Sequence, residues 1–177
     1  MEEMRVVFAG FGGQGLLFAG KVVAYAGLID DHEVSWLPSY GPEMRGGTAN
    51  CSVTLSDEPI GSPLIMNPNV LIAMNQPSLL KFESEVTPGG KIFVDTSLVS
   101  RIPERDDVEV FELEATNMAE DEGLKGLANI VLVGKMLKET GFCSAETIEA
   151  AIRKAVPPRK EALIEKNLQA LKMGMES

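Results

Sequence analysis

The chain is poor in the residues that most redox and hydrolytic chemistry uses. Its 177 residues include 2 cysteines and 1 histidine. Cys51 and Cys143 stand far apart and in no C-x-x-C pair, so neither a zinc site nor an iron–sulfur cluster can be assembled from this chain alone. Both are expected to be buried thiols. His32 follows Asp30 and Asp31 and reads as a loop or strand-edge residue rather than a catalytic base. Cations are scarce too: 16 basic residues face 26 acidic ones, for a net charge of −10. That balance disfavours nucleic acid and anionic membrane as partners, and it makes isolated cations, Arg45 above all, worth following. No apolar run approaches the roughly 20 residues needed to cross a bilayer. Met1-Glu2-Glu3 is the wrong start for a secretory signal, so a cytoplasmic location is expected. Internal repeats, low-complexity tracts and long linkers are missing as well.

What the chain has is glycine, in two clusters. The first is Gly10-Phe11-Gly12-Gly13-Gln14-Gly15. It lies between Arg5-Val6-Val7-Phe8-Ala9, a short apolar run with β-branched members that suits a buried parallel strand, and a stretch from Leu16 to Leu28 with apolar residues at helical spacing. At such a strand–turn–helix the free N–H groups of the helix's first residues favour polar or anionic groups in the crevice. Gly10, Gly12 and Gly15 satisfy G-x-G-x-x-G, the dinucleotide spacing. That reading also needs a carboxylate at the end of the second strand for a ribose hydroxyl. Here Asp30 and Asp31 precede the expected strand, His32 to Leu37, which ends in Pro38-Ser39-Tyr40. Three readings stand: a dinucleotide site, a turn that only lets helix and sheet pack closely, and a backbone surface that meets a ligand or a partner subunit.

The second cluster is Ser39-Tyr40-Gly41-Pro42-Glu43-Met44-Arg45-Gly46-Gly47. Tyr40 offers an aromatic face and a hydroxyl, Glu43 a carboxylate, and Arg45 a planar fork suited to carboxylate or phosphate. Gly46 and Gly47 allow close backbone approach. The same composition would also serve an ordinary connector.

Along the remainder, strands are expected at Thr48 to Leu55, Val70 to Met74, Lys91 to Asp95 and Val108 to Leu113. Ser78 fits the N-cap of a helix running to about Val86 and stopped by Pro88-Gly89-Gly90. From Ala128 the pattern is helical: Ala128 to Thr140 with Gly141 past its end, Ser144 to Ala155, a break at Pro157-Pro158, and Glu161 to Met173 with Leu163, Ile164, Leu168 and Leu171 on one side. With 45% hydrophobic content, the chain suits one packed domain over 1–177 and is too short for two sizeable ones. The expected fold is α/β, a single Rossmann-like domain with a mostly parallel sheet flanked by helices and a helical C-terminal segment. In a doubly wound sheet a site lies beyond the carboxyl ends of the strands. The glycine turn, the Ser39 to Gly47 loop and the Asn75-Gln76 turn all follow strands and could share that edge.

The glycine turn, followed by Ser39 to Ala49, resembles the gamma subunit of the 2-oxoacid:ferredoxin oxidoreductases. Leu71-Ile72-Ala73-Met74-Asn75-Gln76 and Gly89-Gly90-Lys91-Ile92-Phe93-Val94-Asp95 resemble that family too, and the likeness covers nearly the whole chain. It implies a subunit of a larger enzyme that converts a 2-oxoacid and coenzyme A to an acyl-CoA and carbon dioxide and passes electrons to ferredoxin. Thiamine diphosphate and iron–sulfur clusters would then sit on partner alpha, beta and delta chains, with this domain packed over the active site and in possible contact with coenzyme A. The Tyr40 to Gly47 form is more similar to the 2-oxoglutarate and branched-chain enzymes than to the pyruvate or indolepyruvate ones. The implied site residues are Gly10, Gly12, Gly13, Gln14 and Gly15 in the turn, Ser39, Tyr40, Gly41, Pro42, Glu43, Arg45, Gly46 and Gly47 in the loop, and Asn75 and Gln76. None has an implied catalytic role. A partner-facing surface should expose apolar side chains. The competing classes are a stand-alone dinucleotide-binding protein and a purely structural assembly module.

Overall fold

Runs such as Val70-Leu71-Ile72-Ala73 and Ile92-Phe93-Val94 are apolar at consecutive positions, and a strand alternates its side chains between two faces, so these strands need cover on both sides. The computed structural model describes residues 3–39 and 48–177. It contains a six-stranded sheet in the order β2-β3-β1-β4-β5-β6. The strands are β1 (Met4–Phe11), β2 (Glu33–Pro38), β3 (Thr48–Ser56), β4 (Val70–Ala73), β5 (Lys91–Asp95) and β6 (Glu109–Leu113). β1, β4, β5 and β6 pair in parallel, whereas β3 runs antiparallel between β1 and β2. The fold is therefore the expected mostly parallel one, with an antiparallel strand inserted beside β1.

The helices are α1 (Leu16–Ile29), α2 (Gln76–Phe82), α3 (Ala115–Asp121), α4 (Ala128–Thr140), α5 (Ala145–Ala155) and α6 (Ile164–Glu176). On one face Phe8, Val53, Ile72 and Phe93 meet Val22, Ile130, Met136, Ile148 and Leu171 from α1, α4, α5 and α6. On the other, Val7, Leu71, Ile92 and Val94 meet Leu79 of α2. Since α1 covers the first face and α2 the second, the winding changes side between β1 and β4. Their carboxyl ends form the switch point, where an open α/β sheet leaves a crevice.

Several expectations need correction. Asn75, not Ser78, caps α2: its Oδ1 accepts from the Ser78 N–H at 2.8 Å. Pro77 falls in the first turn, where its missing N–H costs nothing. The helix also stops at Phe82, and a 3-10 turn over Glu83–Glu85 completes the segment. The last helix begins at Ile164 after a 3-10 stretch over Pro158–Leu163, which leaves Leu163 exposed instead of packed. α3 has no counterpart among the elements expected from the sequence.

Candidate functional site

β1 ends at Phe11 and α1 begins at Leu16, so the first glycine cluster forms the turn at the switch point. Gln14 is its central side chain. Its Oε1 accepts from the Phe11 N–H at 2.6 Å, and its Nε2 donates to the Met74 carbonyl at the end of β4 at 3.0 Å. One amide thus ties the two carboxyl ends together across the crevice. Gly10 makes room for it: a Cβ there would overlap Gln14 Oε1 and lie 3.1 Å from Met74 Cβ. Gly15 has φ 74, and its carbonyl accepts from Asn129 Nδ2 of α4 at 2.9 Å. The Ser78 hydroxyl donates to the Gly10 carbonyl at 3.4 Å.

This geometry argues against a dinucleotide site. Gln14 fills the gap between the ends of β1 and β4 and is hydrogen-bonded to both. β2 ends in Trp36-Leu37-Pro38 without a carboxylate, and Asp30 lies at the far end of α1, where its Oδ1 accepts from the Thr147 hydroxyl at 2.8 Å.

Ser39 and Thr48, the described residues on either side of Tyr40 to Gly47, lie at the same edge of the sheet. The Ser39 N–H donates to the Asn50 carbonyl at 2.9 Å, and Thr48 stands opposite Phe11. Tyr40, Gly41, Pro42, Glu43, Arg45, Gly46 and Gly47 lie outside the described residues. Asn75 follows β4 at this edge also, while Gln76 fastens the loop after β5: its Oε1 accepts from the Arg101 N–H at 2.9 Å and the Ser100 N–H at 3.1 Å. Buried polar atoms are seldom left without partners. Two lie here without one among the described residues, Asn75 Nδ2 and Asn129 Oδ1.

Beside the glycine turn is a crevice of about 210 Å³ whose walls include Gln14, Met74, Leu98, Thr116, Ala119 and Ala128. α3, which makes one wall, is held by Asp95 at the end of β5. This fully buried carboxylate accepts from the Thr116 hydroxyl at 2.6 Å, the Ser97 N–H at 3.1 Å and the Thr116 N–H at 3.3 Å. α1 and α4 both begin at this edge with no side-chain cap and no acid in the first turn, so the partial positive charge of two helix N-termini is left unneutralised by their own side chains. Phe11 and Leu98 are exposed here at 40% and 47%. A larger hollow of about 610 Å³ opens at the amino ends of β1, β4 and β5. Its charges are already paired, Arg5 with Glu3, Lys91 with Glu109 and Glu139 with Lys135, and nothing in it converges on a guest.

The remaining polar candidates are structural. His32 Nδ1 lies 2.7 Å from Asp57 Oδ1. Burial pushes the Cys51 thiol up to about 12, against a smaller opposing hydrogen bond with Trp36. Burial, reinforced by Asp30, does the same to Cys143, also to about 12. Cys51 is buried and Cys143 half-buried. Among the described residues no group of three His, Cys, Asp or Glu could hold a metal, and no helix is long and apolar enough to cross a membrane.

Replacing Gln14 with Ala removes its hydrogen bonds with the Phe11 N–H and the Met74 carbonyl and is expected to cost about 1–2 kcal/mol. The urea midpoint should fall with the slope unchanged. A midpoint equal to that of the unsubstituted chain would mean the bridge is not made.

The fold and this edge define a Rossmann-like α/β domain whose switch point is bridged by its own glutamine. The model of the pyruvate ferredoxin/flavodoxin oxidoreductase family matches residues 5–177, and the chain belongs to that family. It is 39% identical to the 2-oxoglutarate synthase subunit KorC of Methanocaldococcus jannaschii, over 99% of this chain and 92% of that one. It is also 39% identical to the ketoisovalerate oxidoreductase subunit VorA of Methanothermobacter thermautotrophicus, over 98% of this chain. There it spans 36% of the VorA length. Among solved structures, the gamma subunit of a keto/oxoacid ferredoxin oxidoreductase from Geobacter sulfurreducens superposes with a TM-score of 0.84 at 33% identity, covering 98% of this chain and 96% of that one. The expected likeness to a gamma subunit is borne out.

Proposed function

We propose that this chain is the gamma subunit of a multi-subunit 2-oxoacid:ferredoxin oxidoreductase. The complex turns a 2-oxoacid and coenzyme A into an acyl-CoA and carbon dioxide, and the two electrons released with a proton go to ferredoxin. The observation that carries this reading is the identity to KorC along nearly the whole of both chains. 2-Oxoglutarate is the favoured substrate, and a branched-chain oxoacid is the competitor, since a ketoisovalerate subunit is equally similar.

The chain's own residues fit a supporting role. Its two cysteines are thiols held protonated by burial and lie in different places, so they do not fit as iron–sulfur ligands, and the clusters and thiamine diphosphate belong to alpha, beta and delta partners. The carboxyl edge is the surface turned toward those partners or toward coenzyme A. It gathers the glycine turn, Ser39 and Thr48 on either side of Tyr40 to Gly47, the exposed Phe11 and Leu98, and two buried amide atoms without a partner among the described residues.

The test is an anaerobic pull-down of the tagged chain from its own cells, followed by coenzyme A-dependent dye reduction with a panel of 2-oxoacids. Partner chains and turnover of 2-oxoglutarate are expected, and a lone inactive chain would overturn the reading. Within the complex, Arg45→Ala is expected to lower activity by about tenfold, as loss of one charge-assisted contact would, with the melting temperature of the isolated chain unchanged. Full activity and assembly would make Arg45 an ordinary surface residue.

A further inference from the structure

The crevice beside the glycine turn has a composition that selects its guest. Met74, Ala119, Ala128 and Leu98 give it apolar walls. The side chain that could have made it polar, Gln14, has both ends of its amide engaged by Phe11 and Met74. These apolar walls offer a polar guest no replacement for its hydration, whereas a hydrocarbon side chain gains by leaving water.

The rim is charged on one side. Glu120 lines the opening, and Asp121 and Glu122 follow it at the end of α3. All three are exposed, and none has an ion-pair partner among the described residues. Lys125 stands at the same opening as a single opposing charge. The C-terminal end of α3 adds further negative character there, while Gly13 and Ala128, next to the N-termini of α1 and α4, line other parts of the crevice. The α3 side is thus where a cation is favoured.

We propose that this crevice is a docking socket for one large apolar side chain of a partner subunit, carried by a segment with lysine or arginine beside it. The apolar side chain enters between Met74 and Ala119, and the basic neighbour lies over Glu120, Asp121 and Glu122. Leu98 forms the lip. An anchor side chain in a desolvated pocket with a charged rim is how interfaces concentrate their affinity, and the rim charges govern the rate and salt dependence of association. The proposal rests on the gamma-subunit reading and names which part of the carboxyl edge holds the partner.

Two measurements on the native complex test it. First, p-benzoylphenylalanine at position 98 is photoactivated in the assembled complex and the crosslinked peptide is identified by mass spectrometry. A segment of another subunit with a large apolar residue next to lysine or arginine is expected. No crosslink to another chain, or one to a polar or acidic segment, would overturn the socket. Second, Leu98→Asp and Glu120→Lys are each expected to reduce the partner retained by the tagged chain by about tenfold, the scale of one lost anchor. The Glu120→Lys effect should shrink as salt is raised. Leu64→Asp, at an exposed leucine on the connector between β3 and β4, should retain partner normally. Retention within about twofold of the unsubstituted chain for both socket variants, in a complex that still turns over a 2-oxoacid, overturns the socket and leaves the subunit reading intact. An unsubstituted chain that purifies alone overturns both.

Discussion

Gly174→Ala is expected to destabilise the chain by about 3 kcal/mol, although helix propensity alone would make alanine the better residue there by about 1 kcal/mol. The reason is the crossing of α4 and α6. A Cβ on Gly174 would overlap the Val131 carbonyl oxygen and lie 2.8 Å from the Lys135 nitrogen. Gly134 on the opposite helix faces the Leu171 carbonyl in the same way, with Met175 N at 3.1 Å. All of these neighbours are backbone, so no side chain can rotate away, and relief requires the two helices to separate. Separation opens the core that Leu171 shares with the buried Ile130, Val131 and Met136 of α4. A loss of about 3 kcal/mol lowers the melting temperature of a chain this size by roughly 6–12 °C. Gly61, with nothing within 4 Å of its would-be Cβ and no positive φ, provides the control, and Gly61→Ala should melt within about 1 °C of the unsubstituted chain. A Gly174→Ala chain more stable than its parent would show that propensity outweighs the crossing.

The helix crossing is also where sequence reading stops. The strands were legible because Val70 to Ala73 and Ile92 to Val94 are apolar at every position, a pattern with few alternatives at that length. α4 and α5 were legible through period and caps, Gly141 past one and Ser144 before the other. α3 was not, because it has seven residues and only Ala115 and Ala119 are buried. That is too small a stripe to register against its acids. The direction of β3 left a fainter mark: Cys51, Val53 and Leu55 turn to α1 while Asn50, Ser52 and Thr54 alternate with them, the alternation of an antiparallel strand. At the site, the glycine turn and its place at the carboxyl edge could be inferred, since both follow from local order along the chain. That Gln14 turns inward and bridges the switch point could not. Its direction depends on Gly10 lacking a side chain and on the Met74 carbonyl, 60 residues further on, arriving within reach.

Asp95 is the residue through which the core reaches the crevice, and Asp95→Ala is the second substitution with a large expected effect. The carboxylate is fully buried, with three donors as its hydrogen-bond partners. Hydrogen bonds to a charged group contribute about 1.5–3 kcal/mol each. The bond from the Thr116 N–H is long and Ser97 and Thr116 are half-buried, so a total of about 3 kcal/mol is expected rather than the full sum. The loss should be local in its consequence: Thr116 is the second residue of α3, and without its acceptor the wall carrying Ala119 and Glu120 comes loose. Hydrogen exchange should therefore quicken over Ala115–Asp121, and retention of the partner subunit should fall with it. Asp95→Asn separates geometry from charge. Its Oδ1 still accepts from both backbone N–H groups, and its amide can donate to a Thr116 hydroxyl turned about its bond. A cost of about 1 kcal/mol and preserved protection of α3 are expected. If asparagine proves as damaging as alanine, the negative charge itself holds α3 in place, and the hydrogen-bond account fails.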